Sequence, residues 1–183
     1  MDHSREIRQL WVVAKSYFEE AKRLKIKRCG YLDIRLIDIM DFYENGIPME
    51  DYQIELSLLV AHLNSAAIRL CTINERFCND WNDRIFKYYQ DELLHEQRKL
   101  EDDKHWNSDY LTKELIRNKE EYLPLMLRDE VGHMEGGERP TKEVIWQARH
   151  TAIESLKVIE VFTCMQSAIE RLETKLRNKK FIS

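Results

Sequence analysis

The chain has 183 residues, which is enough for one domain with a real hydrophobic core and marginal for two. Charged residues make up 34% and hydrophobic residues 43%, with only 5 glycines and 3 prolines, fewer than sheet proteins and loop-rich enzymes need for their turns. The composition therefore predicts an all-helical protein. The net charge of −4 excludes a global bias toward nucleic acids or acidic lipids.

The N-terminal part of the chain predicts a helical hairpin. The first helix is expected to begin at Asp2 or Ser4, either of which is a suitable N-cap, and its apolar residues recur every three or four positions. It is expected to end near Cys29, with Gly30 closing it in a left-handed turn. A second helix is expected over Tyr31–Glu44, where apolar residues leave only a narrow polar stripe.

The segment Met49–Lys104 contains neither glycine nor proline and predicts one long helix. Its apolar residues recur at steps of three and four from Leu56 to Phe77, and steps of four beyond Phe77 shift the phase of the stripe. An unbroken helix would be roughly 80 Å long at ~1.5 Å per residue, so one end should project or be covered by another chain. The alternative is a break near Asn64 or near Asn79.

The C-terminal half predicts two further helices and a linker. A modest helix is expected over Ser108–Glu121, and the apolar stretch Tyr122–Leu127 around Pro124 should dock on the core without forming a long element. Three glycines and one proline fall within residues 128–140, which predicts a flexible linker and the softest proteolytic site. The last helix, Thr141–Asn178, is expected to pack antiparallel to the long helix.

Two short segments, 22–28 and 171–180, are rich in lysine and arginine. Each could bind phosphates, and Tyr17 or Tyr31 could add an aromatic surface beside the first segment. The purely structural explanation is that cations at the end of a helix complement its dipole. The candidate phosphate contacts are Lys22, Arg23, Lys25, Lys27, Arg28, Arg171, Lys175, Arg177, Lys179 and Lys180.

Beyond Phe77 the stripe of the long helix becomes aromatic and gains many charged neighbours, as a partly exposed contact surface does. The last helix spans only about 57 Å at ~1.5 Å per residue, so it need not cover the whole long helix. We therefore expect the region Trp81–Leu94 to contact another chain or a second copy, although aromatic residues at helical spacing also occur in cores. The candidate interface residues are Trp81, Phe86, Tyr88 and Tyr89.

Two Glu-x-x-His pairs, Glu92/His95 and Glu130/His133, have the spacing that builds di-metal carboxylate sites in helical bundles. Such sites also need carboxylates from two other helices, and the most apolar stripes carry none, so we expect no metal and no cofactor. The sequence contains no nucleophile signature and no phosphate-binding glycine loop. No catalytic residue is therefore assigned.

The four cysteines, Cys29, Cys71, Cys78 and Cys164, fit neither a zinc-ligand pattern nor a compact disulfide framework. Cys71 and Cys78 would lie about 10 Å apart along one helix, too far for a bridge. A catalytic role for Cys29 would need a base and an orienting partner, and the sequence identifies neither. We expect buried free thiols, which suit a reducing compartment.

The predicted fold is an all-α, elongated helical bundle of one domain, residues 1–183, with two long antiparallel, coiled-coil-like helices and a shorter N-terminal helical hairpin. The expected function is that of a non-enzymatic interaction or assembly protein, either a subunit of a larger complex or a homo-oligomer, because the long stripes carry more apolar surface than the short helices cover. The alternatives are a nucleic-acid-binding helical protein that uses both basic segments and, last, a helical metal-dependent enzyme. Without a signal peptide or transmembrane stretch, we expect a cytoplasmic or nuclear protein with no membrane span.

Overall fold

The computed structural model describes residues 3–39, 50–77, 108–134 and 143–183. Within these ranges 88% of the residues are helical and no strand is found, which confirms the predicted all-α helical bundle. The elements in chain order are α1 (Ser4–Lys27), a 3-10 helix (Cys29–Tyr31), α2 (Asp51–Phe77), α3 (Ser108–Arg117), α4 (Lys119–Met134), α5 (Glu143–Ser155) and α6 (Val158–Asn178). All six α-helices contribute buried side chains to one hydrophobic core.

Helices α1 and α2 pack side by side and run in opposite directions. At one end, Arg76 in the last turn of α2 donates a hydrogen bond to Glu6 in the first turn of α1 at 2.9 Å. At the other end, Lys27 and Arg28 bind Glu55 near the start of α2. These two sets of ion pairs fix the register of the pair along its whole length.

The described part of the predicted long helix is α2, which continues through Asn64 without interruption, so the predicted alternative of a break there is wrong. The backbone N–H of Glu50 donates to Gln53 Oε1 at 2.8 Å, and the N–H of Gln53 donates to the Glu50 carbonyl at 2.9 Å. This reciprocal pair of bonds satisfies donors that the start of a helix leaves free. Residues 78–107, including the second alternative near Asn79, lie outside the described residues.

Helix α6 also packs on α1 in the antiparallel sense. Lys15 pairs with Glu173 at 3.3 Å, and Phe18 stacks on Phe162 with ring centroids 5.1 Å apart. Because α1 is the antiparallel partner of both α2 and α6, these two helices run in the same direction. The expected antiparallel pairing of the last helix with the long helix is corrected accordingly, because α2 and α6 both start beside the end of α1.

The last helix is two helices, α5 and α6, and not the single helix predicted over Thr141–Asn178. At the junction the backbone of Lys157 is extended, with φ −81° and ψ 151°. Residues 32–36 pair with residues 156–159 there and satisfy N–H groups at the start of α6 that lack a helical partner. The backbone bonds run from Leu36 N–H to the Leu156 carbonyl (2.9 Å), from Val158 N–H to the Ile34 carbonyl (3.0 Å) and from Ile159 N–H to the Leu32 carbonyl (3.0 Å).

This pairing also changes the predicted N-terminal hairpin. Helix α1 begins at Ser4, one of the two predicted starts, but its N-cap residue is His3; Asp2 lies outside the described residues. Gly30 lies in the 3-10 helix instead of closing α1 in a left-handed turn. Residues 32–35 are drawn into the pairing with the start of α6, so the helix predicted from residue 31 is observed only from residue 36. Residues 40–49 lie outside the described residues.

Pro124 lies inside helix α4, where the sequence predicted a docking segment without a long element. Because proline has no N–H, the carbonyl of Glu120, one turn earlier, loses its helical donor. Arg171 of α6 donates from Nη2 to that carbonyl at 2.6 Å, which allows the helix to continue. The predicted docking on the core is confirmed, because the following residues are buried: Tyr122, Leu123, Leu125, Met126 and Leu127.

The helix predicted over Ser108–Glu121 ends at Arg117, and after a turn at Asn118 helix α4 runs to Met134. The predicted linker, residues 128–140, therefore begins within a helix. Residues 135–140 lie outside the described residues. The flexible linker and the single-domain organisation stay predictions.

Candidate functional site

The described residues expose seven large hydrophobic side chains, and four of them lie at the end of the molecule where α1 finishes and α2 begins. We call these four the hairpin-end surface: Ile26, Tyr31, Ile54 and Leu58. Ile26 is the most exposed of the seven, at 72%. Ile54 and Leu58 are four residues apart and therefore project from the same side of α2.

Aromatic stacking holds the hairpin-end surface in place. The ring of Tyr31, in the 3-10 helix, stacks on the ring of Tyr52 in the first turn of α2, with centroids 4.7 Å apart and planes inclined by 22°. Such pairs stabilise by about 0.5–1.5 kcal/mol beyond the area that they bury. The half-exposed ring of Tyr31 is therefore fixed to α2 although it faces solvent.

A cluster of three charged residues also helps to hold the hairpin-end surface in place. Lys27 and Arg28 both bind the carboxylate of Glu55, one on each oxygen. The hydrogen bond from Arg28, followed by that from Lys27, keeps the pKa of Glu55 below its ordinary value, and the same bond to Glu55 raises the pKa of Arg28. We call Lys27, Arg28 and Glu55 the clamp, because it joins the end of α1 to the start of α2.

The remaining candidate phosphate contacts of segment 22–28 also face groups of the same chain. Those on the solvent side of α1 pair with carboxylates one turn away, and such exposed pairs are individually weak. The nearest partners are Glu19 for Lys22 (3.8 Å), Glu20 for Arg23 (3.0 Å) and the ring of Phe162 for Lys25 (4.4 Å from the centroid). A phosphate would therefore compete with an existing partner at every cation of this segment.

The cations of segment 171–180 have different surroundings from those of segment 22–28. Arg171 donates a hydrogen bond to a backbone carbonyl of α4, and Arg177 pairs with Glu173 at 3.0 Å. Lys175 lies in the last turn of α6 and Lys179 is its C-cap residue. Lys180 follows with a positive φ of 60°.

The structure does not bring the two basic segments together. The side chain of Lys25 lies over Phe162 near the start of α6, whereas Arg8 near the start of α1 donates from Nε to the carbonyl of Phe181, after α6 has ended. Lys25 and Lys180 thus lie at opposite ends of the α1–α6 pair, about 25 Å apart at ~1.5 Å per residue. These two residues are too far apart to contact the same phosphate.

Several predicted sites fall outside the described residues. These include all four candidate interface residues, Trp81, Phe86, Tyr88 and Tyr89, and the pair Glu92/His95. Glu130 and His133 belong to helix α4, but their side chains are not among those described. Among the described side chains, no group of three His, Cys, Asp or Glu residues is placed to hold a metal ion.

Cys71 and Cys164 are buried thiols that take part in no disulfide, which confirms the prediction for these two cysteines. Burial raises the pKa of the Cys164 thiol to about 11, so it stays protonated at neutral pH. A protonated, buried thiol is a poor nucleophile, and Cys164 acts as a small apolar core residue. Cys78 and the side chain of Cys29 lie outside the described part of the chain.

One helix among the described residues, α2, is long and apolar enough to cross a membrane when judged by length and composition alone. Core helices of soluble proteins have the same properties, and α2 contributes many buried residues to the core described above. The absence of a membrane span therefore stays a prediction.

Sequence reasoning missed the hairpin-end surface, although a signal was present. Ile26 falls outside the apolar stripe of α1, and Ile54 and Leu58 fall outside the stripe of α2 that begins at Leu56. Apolar residues on the polar side of an amphipathic helix are candidates for contacts with another molecule. No family model, curated protein or solved structure matches the chain, so an argument about function depends on these residues themselves.

Proposed function

We propose that this chain is a helical interaction or assembly protein and that a protein partner, either a second copy or another subunit, covers the hairpin-end surface. The observation that supports the proposal is the concentration of exposed apolar side chains at one end of the α1–α2 pair. Single exposed hydrophobic residues are ordinary, but a group of them at one place is typical of an interface.

Association at this surface has a favourable contribution from apolar burial and an opposing cost of ordering. Complete burial of an exposed large apolar side chain is favourable by about 1.5–3 kcal/mol, so covering the exposed fractions of Ile26, Ile54 and Leu58 would contribute part of that amount for each residue. The opposing cost of ordering the surface is reduced, because the Tyr31–Tyr52 stack and the clamp already hold it. A pre-ordered apolar group beside a charged cluster resembles the apolar centre and polar rim of protein interfaces.

Nucleic-acid binding receives less support. It would use segments 22–28 and 171–180, and Lys25 and Lys180 lie at opposite ends of the α1–α6 pair. Each cation of the first segment faces a carboxylate or a ring of the same chain. The interaction proposal requires no rearrangement of these pairs.

The test is the molar mass in solution of the parent chain and of a double variant, Ile54→Ser with Leu58→Ser. Both side chains are substantially exposed, so the variant should melt close to the parent temperature. We expect light scattering to show a mass above that of one chain for the parent, or a stable complex with a partner, and a single chain for the variant. Val12→Ser is the matched control, because Val12 is 64% exposed at the other end of α1.

Two results would contradict the proposal. One is loss of association in the Val12→Ser control to the same extent as in the double variant, which would show that general surface hydrophobicity drives it. The other is a sharp fall in the melting temperature of the double variant with unchanged association. This result would show that Ile54 and Leu58 stabilise the fold and do not contact a partner.

A further inference from the structure

A cleft lies between the first half of α1 and the end of α6, at the opposite end of α1 from the hairpin-end surface. Its volume is about 530 Å³, within the range of ~300–1,000 Å³ that small-molecule sites occupy. Arg8, Glu173, Arg177 and Lys180 supply its charged wall, and Trp11 and Val12 supply an apolar wall. We propose that this cleft binds a small phosphate-bearing molecule, whose phosphate contacts Arg8, Arg177 and Lys180 and whose apolar or aromatic part lies against Trp11 and Val12.

The balance of charge in the cleft favours an anion. Three cationic side chains line it, against one carboxylate side chain, that of Glu173. Both oxygens of Glu173 are already engaged, Oε2 by Lys15 at 3.3 Å and Oε1 by Arg177 at 3.0 Å. Even with a main-chain carboxylate at Ser183, which also lines the cleft, a positive excess remains. A ligand phosphate would therefore meet a net positive charge, contributed by Arg8 and Lys180 beside the Arg177–Glu173 pair.

Arg8 is held in a defined orientation. Its Nε–H donates to the carbonyl of Phe181 at 2.9 Å, which uses one of the five N–H donors of the guanidinium group. Within the described part of the chain the two Nη groups have no other acceptor, and their fork geometry matches two oxygens of one phosphate. Because the bond to Phe181 fixes the plane of the group, less side-chain entropy is lost when a ligand binds.

Lys180 supplies an independent observation, because it occupies a backbone conformation that glycine normally takes. Its φ is 60°, and it is the left-handed residue that ends α6. Phe181 N–H donates to the Leu176 carbonyl at 3.0 Å and Lys180 N–H donates to the Arg177 carbonyl at 2.9 Å, the two bonds of a Schellman motif. A side chain at this position opposes stability, and such strain is found where the side chain serves a function.

Because of this strain, one substitution at Lys180 should have two opposite effects. It should raise the stability of the fold and lower the affinity of the site for its ligand. Lys180→Gly relieves the left-handed strain and removes the charge. We expect it to raise the melting temperature and to weaken the binding of AMP, measured by isothermal titration calorimetry at low salt, by roughly tenfold. Lys180→Gln keeps a side chain and should weaken AMP binding to a similar extent without the gain in stability.

The controls separate a built site from general attraction. Lys22→Gln makes the same change of charge at the far end of α1 and should leave AMP binding unchanged. Inorganic phosphate should bind more weakly than AMP, because it makes no contact with Trp11 or Val12. The proposal is overturned if AMP shows no saturable binding up to about 10 mM, if Lys22→Gln weakens binding as much as Lys180→Gln, or if phosphate and AMP bind equally.

Discussion

Segments 22–28 and 171–180 have similar composition, but the structure gives their charges different surroundings. In the first, every candidate phosphate contact faces a carboxylate or an aromatic ring of the same chain. In the second, Arg171 completes the backbone of another helix, and Lys180 lines a cleft in which cations outnumber carboxylates. The comparison teaches that the number of positive charges in a segment does not determine how many are available to a ligand. What matters is which element packs opposite them.

The largest expected effect comes from breaking the aromatic contact beneath the first segment. Phe162 stacks on Phe18 and lies beneath Lys25. Phe162→Ala should destabilise the fold by about 3–5 kcal/mol, because it leaves a cavity in place of a buried aromatic ring. Denaturant unfolding measures this loss. Phe162→Leu keeps most of the apolar volume and should cost clearly less; equal losses for the two variants would contradict a packing role.

A smaller loss is expected from Arg171→Ala, which removes the donor to the Glu120 carbonyl. The hydrogen bond should contribute about 0.5–1.5 kcal/mol to the free energy of unfolding. The sharper measurement is a double-mutant cycle with Pro124→Ala, which restores a backbone N–H to α4. In that background Arg171→Ala should cost less, because the carbonyl then has a helical donor. Additive losses would show that Arg171 does not substitute for the missing N–H.

The charges of the clamp should become available when Glu55 is neutralised. Glu55→Gln removes the shared partner of Lys27 and Arg28, and we expect the variant to bind generic single-stranded RNA more tightly than the parent at low salt. Two additional phosphate contacts would steepen the dependence of log affinity on log salt by about 1.4. Glu170→Gln makes the same change of charge where, among the described residues, the carboxylate accepts a hydrogen bond from the amide of Gln166, and it should have no comparable effect. An equal gain in both variants would show that net charge alone is responsible.

The smallest effect concerns pH. The pKa of Glu55 is lowered in the folded state by its hydrogen bonds to Arg28 and Lys27. Its contribution to stability is therefore complete above its ordinary pKa, about 4.3, and is lost as the pH falls through the lower, folded-state value. The difference in melting temperature between the parent and Glu55→Gln should be largest near neutral pH and should shrink below about pH 4. A difference that grows on acidification would reverse the assigned sign.

The sequence was sufficient for the features that depend on local periodicity. Composition predicted the all-α class, and the recurrence of apolar residues every three or four positions correctly identified the buried side of α1, which includes Ile7, Trp11 and Phe18. The sequence pattern failed where residues distant along the chain determine the local backbone conformation. Nothing in the residues around Leu156 indicates a break, because the break is made by backbone groups of residues 32–36.

Pro124 within α4 is a second case of the same kind, because the carbonyl that it leaves without a helical donor accepts a hydrogen bond from α6. The cations of the two basic segments show most clearly what the sequence alone does not predict. The sequence supplied the cations correctly, but their partners, such as Glu55 for Lys27 and Arg28, lie on other helices. Whether a cation is available to a ligand therefore depends on its neighbours in the folded protein. The spacing of residues along the chain does not predict these neighbours.

The pairing of residues 32–36 with residues 156–159 has a consequence for how the chain is made. About 120 residues separate the two partners, and at ~5–20 residues per second a ribosome needs on the order of ten seconds to synthesise them. During this interval the segment after α1 has no strand-like partner, and the apolar side of α1 that packs on α6 has nothing to cover it. The newly made N-terminal third therefore needs either a chaperone or rapid packing onto α2 to avoid aggregation.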